Sequence, residues 1–196
     1  RKVEEKTRVL EIVGDARTLL SIERTLLNLV SRMSGIATTT QRLVEKVKLA
    51  GYKARVACTR KVAPGLSYFD KRAVMVGGGD THRLGLDDMV LIKDNHIVIT
   101  GDVGKAVKMT KDVISFSKKI EVEASTVDEA LEAAKAGADI IMFDNFTPKQ
   151  VRKAMALLKR QGLRNKVLVE ASGGISEQNI LEYAAAEVDI ISLGEI

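Results

Sequence analysis

The 196 residues are 45% hydrophobic, enough to bury one sizeable core, and 31 Lys and Arg outnumber 26 Asp and Glu for a net charge of +5. Aromatic residues make up only 4%, Trp is absent and no dense basic tract stands out, so a nucleic-acid groove is a poor explanation of the charge, which has to be read locally. A single cysteine, Cys58, rules out an internal disulfide and any Cys/His zinc spacing, and no apolar run approaches the roughly 18 residues of a membrane span; a soluble, cytoplasmic protein is expected.

In chain order, residues 9–13 and 16–20 read as the arms of a hairpin about a Gly14-Asp15 turn. Residues 21–50 follow with Leu26, Leu27, Val30, Met33, Ile36 and Ala37 at three- and four-residue spacing, which predicts a helix, kinked or split at Ser34-Gly35 and stopped by Gly51. Beyond Gly51, short apolar runs alternate with amphipathic stretches. Strands are predicted over 54–58, 89–93, 119–123, 139–143, 166–170 and 189–193, and helices over 69–76, 103–116, 127–136, 148–161 and 177–186, with Pro148 in a first helical turn. Strand, helix, strand order predicts a parallel sheet. Polar residues follow strand after strand instead of gathering at one switch point, which favours a barrel over an open, doubly wound sheet. The fold expected is therefore α/β, an incomplete parallel β/α barrel of about six to seven strands. It occupies residues 51–196 and is preceded by residues 1–50 as a separate part. Ala138-Asp139-Ile140-Ile141 is echoed by Val188-Asp189-Ile190-Ile191, consistent with repeated β/α units. A chain that opens and closes near strands reads as a piece of something longer.

Five constellations could carry chemistry. Thr59-Arg60-Lys61 directly follows a buried strand; a guanidinium beside an ammonium suits a carboxylate gripped bidentately and a phosphate met as a point charge, though the same residues would also serve as solvated loop cations. Gly77-Gly78-Gly79 lets the backbone turn tightly just before His82-Arg83, a second cationic clamp or simply a flexible loop. Lys93, ending an apolar run in Lys93-Asp94-Asn95-His96, needs an anion, supplied either by a carboxylate of the protein or by a ligand. Glu121 and Glu123 share one face of their strand; with Asp144 they could hold ribose hydroxyls, directly or through Mg2+, or close internal salt bridges. Ser172-Gly173-Gly174, running into a helix, offers backbone amides to a phosphate, with Ser192-Leu193-Gly194 at the next strand end as the other half. Cations delivered by three unrelated strand ends point to small polyanionic substrates.

Together, Glu23-Arg24-Thr25, Ser34-Gly35-Ile36-Ala37-Thr38, Thr59-Arg60-Lys61 with Pro64-Gly65-Leu66, Gly77-Gly78-Gly79 with His82-Arg83, Leu91-Ile92-Lys93-Asp94-Asn95-His96, Glu121-Val122-Glu123 and Ser172-Gly173-Gly174-Ile175 closely resemble the quinolinate phosphoribosyltransferases over essentially the whole chain. The resemblance implies a pentosyltransferase that converts quinolinate and phosphoribosyl pyrophosphate to nicotinate mononucleotide, pyrophosphate and carbon dioxide in NAD biosynthesis. It assigns quinolinate to Arg60, His82, Arg83 and Lys93, with Arg24 lent across the interface of a homodimer or higher homo-oligomer. It assigns the phosphoribosyl donor to Lys61, Glu123 and Asp144 and its 5-phosphate to Ser172, Gly173, Gly174 and Gly194. Mg2+ would be held mainly through the donor, near Glu123 and Asp144. Residues 1–50 would then be the end of an amino-terminal α/β sandwich with connecting helices. Cys58 stands where the family more often has Asp, and Val62-Ala63 where it has Thr-Thr. The alternatives are a nicotinate phosphoribosyltransferase and a non-catalytic anion-binding barrel.

Overall fold

Six short runs rich in β-branched and apolar residues become strands in a computed structural model that describes residues 3–196. They are β1 (Arg55–Cys58), β2 (Val90–Ile92), β3 (Ile120–Ala124), β4 (Ile140–Asp144), β5 (Leu168–Ser172) and β6 (Ile190–Leu193). All pair in parallel, in the order β1-β6-β5-β4-β3-β2, so β2 to β6 each lie beside a chain neighbour and β1 returns beside the last, as in a β/α barrel. Closure is incomplete: among the described residues β1 and β2 do not pair. Asp80 narrows the seam from the β1 side, donating its backbone N–H to Val56 O at 2.8 Å and accepting from Cys58 N at 3.0 Å. That short stretch stands where a seventh strand would.

The connecting helices are α1 (Ala16–Leu49), α2 (Ser67–Val76), α3 (Asp94–Thr100), α4 (Val103–Val113), α5 (Val127–Ala136), α6 (Pro148–Arg160) and α7 (Ile180–Ala184). Reciprocal capping boxes open two of them, Thr126 with Glu129 on α5 and Thr147 with Gln150 on α6, where Pro148 fills the first turn. Strand alternation then sorts the side chains. Val122, Ile141, Phe143, Val169 and Ile191 are fully buried in one core with Val107, Ala133, Val151, Leu158 and Ile180 of the helices. The intervening Glu121, Glu123, Met142, Asp144, Glu170, Ser172 and Ser192 face the barrel interior.

The internal echo has a structural purpose. Asp139 accepts from Ile120 N at 2.8 Å and Asp189 from Val169 N at 2.7 Å, so each aspartate fastens the start of the preceding strand. Both also continue the ladder through their backbones, Asp139 N to Ile120 O and Asp189 N to Val169 O, each at 2.9 Å.

Several expectations need correction. There is no hairpin at 9–20: Asp15 caps α1 instead, accepting from Thr18 N at 2.9 Å, and 9–13 form no strand. Alternation in 16–20 was equally compatible with a helical turn, and the Asp cap three residues before Thr18 is the signal that decides. Nor does Ser34-Gly35 break α1, which runs 34 residues without interruption. A single helical glycine costs only about 1 kcal/mol, and α1 recovers it where Thr40, Leu43 and Val47 are buried. The polar run after β2 is helical, as α3, an element the sequence reading did not include. The last helix is confined to Ile180–Ala184, and α4 ends at Val113.

The glycines ending α2 are packed on α1: a Cβ at Gly77 would meet Ala37 O at 2.5 Å and Thr40 Cβ at 2.7 Å. Gly77→Ala is therefore expected to destabilise the protein by about 1–3 kcal/mol, read as a lower midpoint of urea unfolding. An unchanged midpoint would mean that the α1 and α2 contact is looser than described.

Candidate active site at the barrel mouth

The carboxyl ends of the strands surround a cavity of about 460 Å3 lined by Thr59, Arg60 and Lys61 after β1, His82 and Arg83 beside the seam, Leu91 and Lys93 at β2, Glu123 at β3, Met142, Asp144 and Asn145 at β4, Glu170 and Ser172 at β5, and Ser192 at β6. Of the residues singled out in the sequence, Arg60, Lys61, His82, Arg83, Lys93, Glu123, Asp144 and Ser172 are thus brought to one place. Gly173 and Gly174 follow immediately after β5, and Gly194 after β6. Arg24 is exposed on α1 and does not line the cavity. A larger cavity of about 580 Å3 sits at the opposite strand ends, among Lys53, Arg55, Glu187 and Asp189. That end of a β/α barrel ordinarily carries stability.

At the floor of the mouth lies a buried charge cluster. Glu121 and Glu170 are 0% exposed. His82 Nε2 stands 3.1 Å from Glu170 Oε2 and 3.5 Å from Glu121 Oε1, and Ser192 Oγ donates to Glu170 Oε1 at 2.6 Å. Burial alone would push the imidazole pKa down; the close carboxylates of Glu121 and Glu170, the latter hydrogen-bonded to Nε2, outweigh it and raise the value to about 10. Burial pushes the Glu121 carboxyl up, against the pull of His82. One contact opposes the cation: Arg83 N donates to His82 Nδ1 at 2.8 Å, which requires that nitrogen unprotonated. Losing this bond costs about 1 kcal/mol, whereas leaving two buried carboxylates without a counter-ion costs several times as much. The balance favours the imidazolium. His82, at a φ of 52°, is consequently committed to internal partners before any ligand arrives.

The other cations differ in availability. Lys93 Nζ pairs with Glu123 Oε2 at 3.0 Å, on partly exposed side chains. Arg83 Nε is buried without a hydrogen-bond acceptor, while Arg60 and Lys61 are exposed at the rim. Across the mouth, Asn145 adopts a φ of 55°, donates Nδ2 to Asp144 Oδ2 at 2.7 Å and its backbone N–H to Ser172 O at 2.8 Å. Gly173 has to be glycine there: its φ is 89° and a Cβ would lie 2.3 Å from Asn145 Oδ1.

His82, Glu121 and Glu170 also bring one ligand atom each within 4.8 Å of one another, a possible metal grouping among the described residues. The hydrogen-bonded imidazole already satisfies Glu170. Glu170 was given no role in the sequence, although alternation from Ser172 places it on the inner face; Glu121 takes the internal salt bridge to His82 that was one of its two readings, and Ser192, read as part of a phosphate cradle, is hydrogen-bonded to Glu170.

The family model of the quinolinate phosphoribosyl transferase C-terminal domain matches residues 36–196, and that of the N-terminal domain matches residues 1–34. The probable nicotinate-nucleotide pyrophosphorylase (carboxylating) of Methanothermobacter thermautotrophicus is 50% identical over 189 residues, covering 96% of this chain and 68% of its own. The human nicotinate-nucleotide pyrophosphorylase (carboxylating) is 42% identical over 187 residues, covering 95% and 62%. The solved structure of the nicotinate-nucleotide pyrophosphorylase from Francisella tularensis superposes with a TM-score of 0.84 at 41% identity, over 93% of this chain and 62% of that one. The chain thus spans 62–68% of the length of these relatives.

Because the His82 pKa is raised, the pair stabilises the fold fully below the unfolded value of about 6.5 and progressively less as pH rises through about 10. Nitrogen NMR of the imidazole should show both ring nitrogens protonated at pH 8, and Glu170→Gln should bring the titration midpoint down toward neutrality. A neutral Nε2–H tautomer in the wild type at pH 8 would reverse the assignment.

Proposed function

The chain belongs to the quinolinate phosphoribosyltransferase family, and on that premise we propose that the protein transfers ribose 5-phosphate from phosphoribosyl pyrophosphate to quinolinate, releasing pyrophosphate and carbon dioxide and forming nicotinate mononucleotide for NAD synthesis. The observation that carries this reading is the buried Arg83 Nε, a charged donor with no acceptor in a cavity whose rim adds Arg60 and Lys61. An orphaned guanidinium donor inside a protein is costly until an anion fills it. A pyridine with two adjacent carboxylates offers one to Arg83 and one to Arg60 or Lys93. Lys93 would then be shared between the substrate and Glu123.

In the reaction proposed, the pyridine nitrogen forms a bond to the anomeric carbon as the bond to pyrophosphate breaks. This displacement passes through a positively charged ribose and needs placement and charge compensation more than a protein nucleophile. Glu123 of β3 and Asp144 of β4, which line the same cavity, supply the negative charge, and Lys61 at its rim meets the departing pyrophosphate. The carboxylate beside the ring nitrogen then leaves as carbon dioxide, its bonding pair drawn toward the cationic ring before the carbon is protonated. Gly173 and Gly174, both at positive φ after β5, open a backbone cradle for the 5-phosphate with Ser172 and Gly194. Glu123 and Asp144 offer hard oxygen donors suited to Mg2+, whose role would be to neutralise the diphosphate of the donor. In this reading Arg24 enters the mouth of a partner's barrel, the active unit is a homodimer or higher homo-oligomer, and the protein works in the cytoplasm.

The full-length protein, given the donor and quinolinate, should release carbon dioxide, and Arg83→Ala should lower kcat/KM about 100-fold or more while the fold is kept. Turnover of nicotinate but not quinolinate would replace the assignment; no turnover of either would leave a binding barrel. Mixing Arg24→Ala subunits with Arg60→Ala subunits should restore part of the activity if sites are shared, and none if they are not.

A further inference from the structure

Lys71, on α2, is 2% exposed and stands behind the wall of the mouth, outside the cavity lining. Burying an ammonium costs roughly several kcal/mol, and such lysines ordinarily face a carboxylate. This one does not. Its three N–H groups are directed to Thr81 O at 2.5 Å, Thr59 O at 3.2 Å and Cys58 Sγ at 3.6 Å, all uncharged acceptors. Cys58 Sγ in turn lies 3.3 Å from Thr81 O.

The position of the two carbonyls is informative. Thr59 immediately precedes Arg60-Lys61, and Thr81 immediately precedes His82-Arg83. Backbone pairing between β1 and the Asp80 stretch ends at Cys58 N and Asp80 O, one residue earlier on each strand. Just beyond that point the carbonyls of Thr59 and Thr81, one on each segment, are bridged by a single donor group. The Lys71 ammonium is that group. Its neighbour Asp70 braces the same loop from the other side, accepting from Ala63 N at 3.3 Å while paired bidentately with Arg32 at 2.7 and 2.8 Å.

We propose that Lys71 is a positioning residue: its buried ammonium sets the separation of the Arg60-Lys61 and His82-Arg83 loops, and with it the spacing of the cations that grip adjacent carboxylates. The inference rests on the cavity being the quinolinate site.

The test uses the full-length protein with Lys71→Met, which removes the donors at similar volume. The KM for quinolinate is expected to rise about tenfold or more, and the affinity for phthalate, an unreactive dianion with the same two adjacent carboxylates, to fall by a similar factor in calorimetry. The melting temperature should hold or rise, since an apolar side chain replaces a buried charge. Combined with Arg83→Ala, the loss should be smaller than the product of the two single losses, because both act on one clamp. A purely structural lysine gives the opposite pattern: a lower melting temperature and fewer active molecules, each with the wild-type KM. If Lys71→Met does not fold, Lys71→Gln, which keeps an uncharged donor head, takes its place with the same expectation, and failure of both to fold would assign Lys71 to stability and end the proposal. Wild-type KM and phthalate affinity in a folded variant would also end it. Failure of the wild type itself to bind phthalate or turn over quinolinate would strike the substrate reading instead.

Discussion

Two carboxylates without access to water, Glu121 and Glu170, set the terms for everything around them. They arise directly from strand alternation: once Val122 and Val169 face the helices, their neighbours must face the barrel interior. A lone buried carboxylate is hard to sustain, so a positive group has to reach the floor of the mouth, and His82 does so across the incomplete side of the sheet. Reaching it dictates the local backbone. The chain must leave α2 through tightly packed glycines, pair once with β1 at Asp80 and enter a positive φ at residue 82. The loop that carries Arg83 is thereby anchored to the interior rather than free at the surface.

That anchoring divides the cations of the mouth by purpose. His82 is spent on the protein itself, and Lys93 is half engaged by Glu123, which leaves Arg83, Arg60 and Lys61 as the groups with capacity for a ligand. The support behind them comes largely from α2. Arg32 of α1 holds the Asp70 carboxyl below the usual range, chiefly through its two hydrogen bonds, and Asp70 passes that support to the loop after β1. A contact far along α1 is in this way mechanically connected to the site.

Much of this was legible in the residues. The barrel order followed from strand and helix alternation, and the polar runs after successive strands marked the mouth before any coordinate was known. What remained hidden has identifiable causes. Residues 16–20 satisfy a strand and a helix pattern equally, and only the Asp15 cap separates them. Lys93 required an anion, and sequence alone could not choose between Glu123 and a ligand. Lys71 was invisible because it sits in an ordinary amphipathic helix and acts on carbonyls, which leave no trace in side-chain identity. The commitment of His82 to Glu170 joins residues 88 positions apart and could only be seen in three dimensions.

The pair Asp139 and Asp189 bears on how such a chain can be cut and rejoined. Each secures the beginning of the strand before its own, Ile120 in one case and Val169 in the other, so the units led by β3 and β5 are not self-contained at their leading edges. A unit removed cleanly between helix and strand would strip its predecessor of the carboxylate that ties down its first amide. Grafting or permuting this barrel at β3 or β5 would have to carry along Asp139 or Asp189, the opening aspartate of the segment that follows.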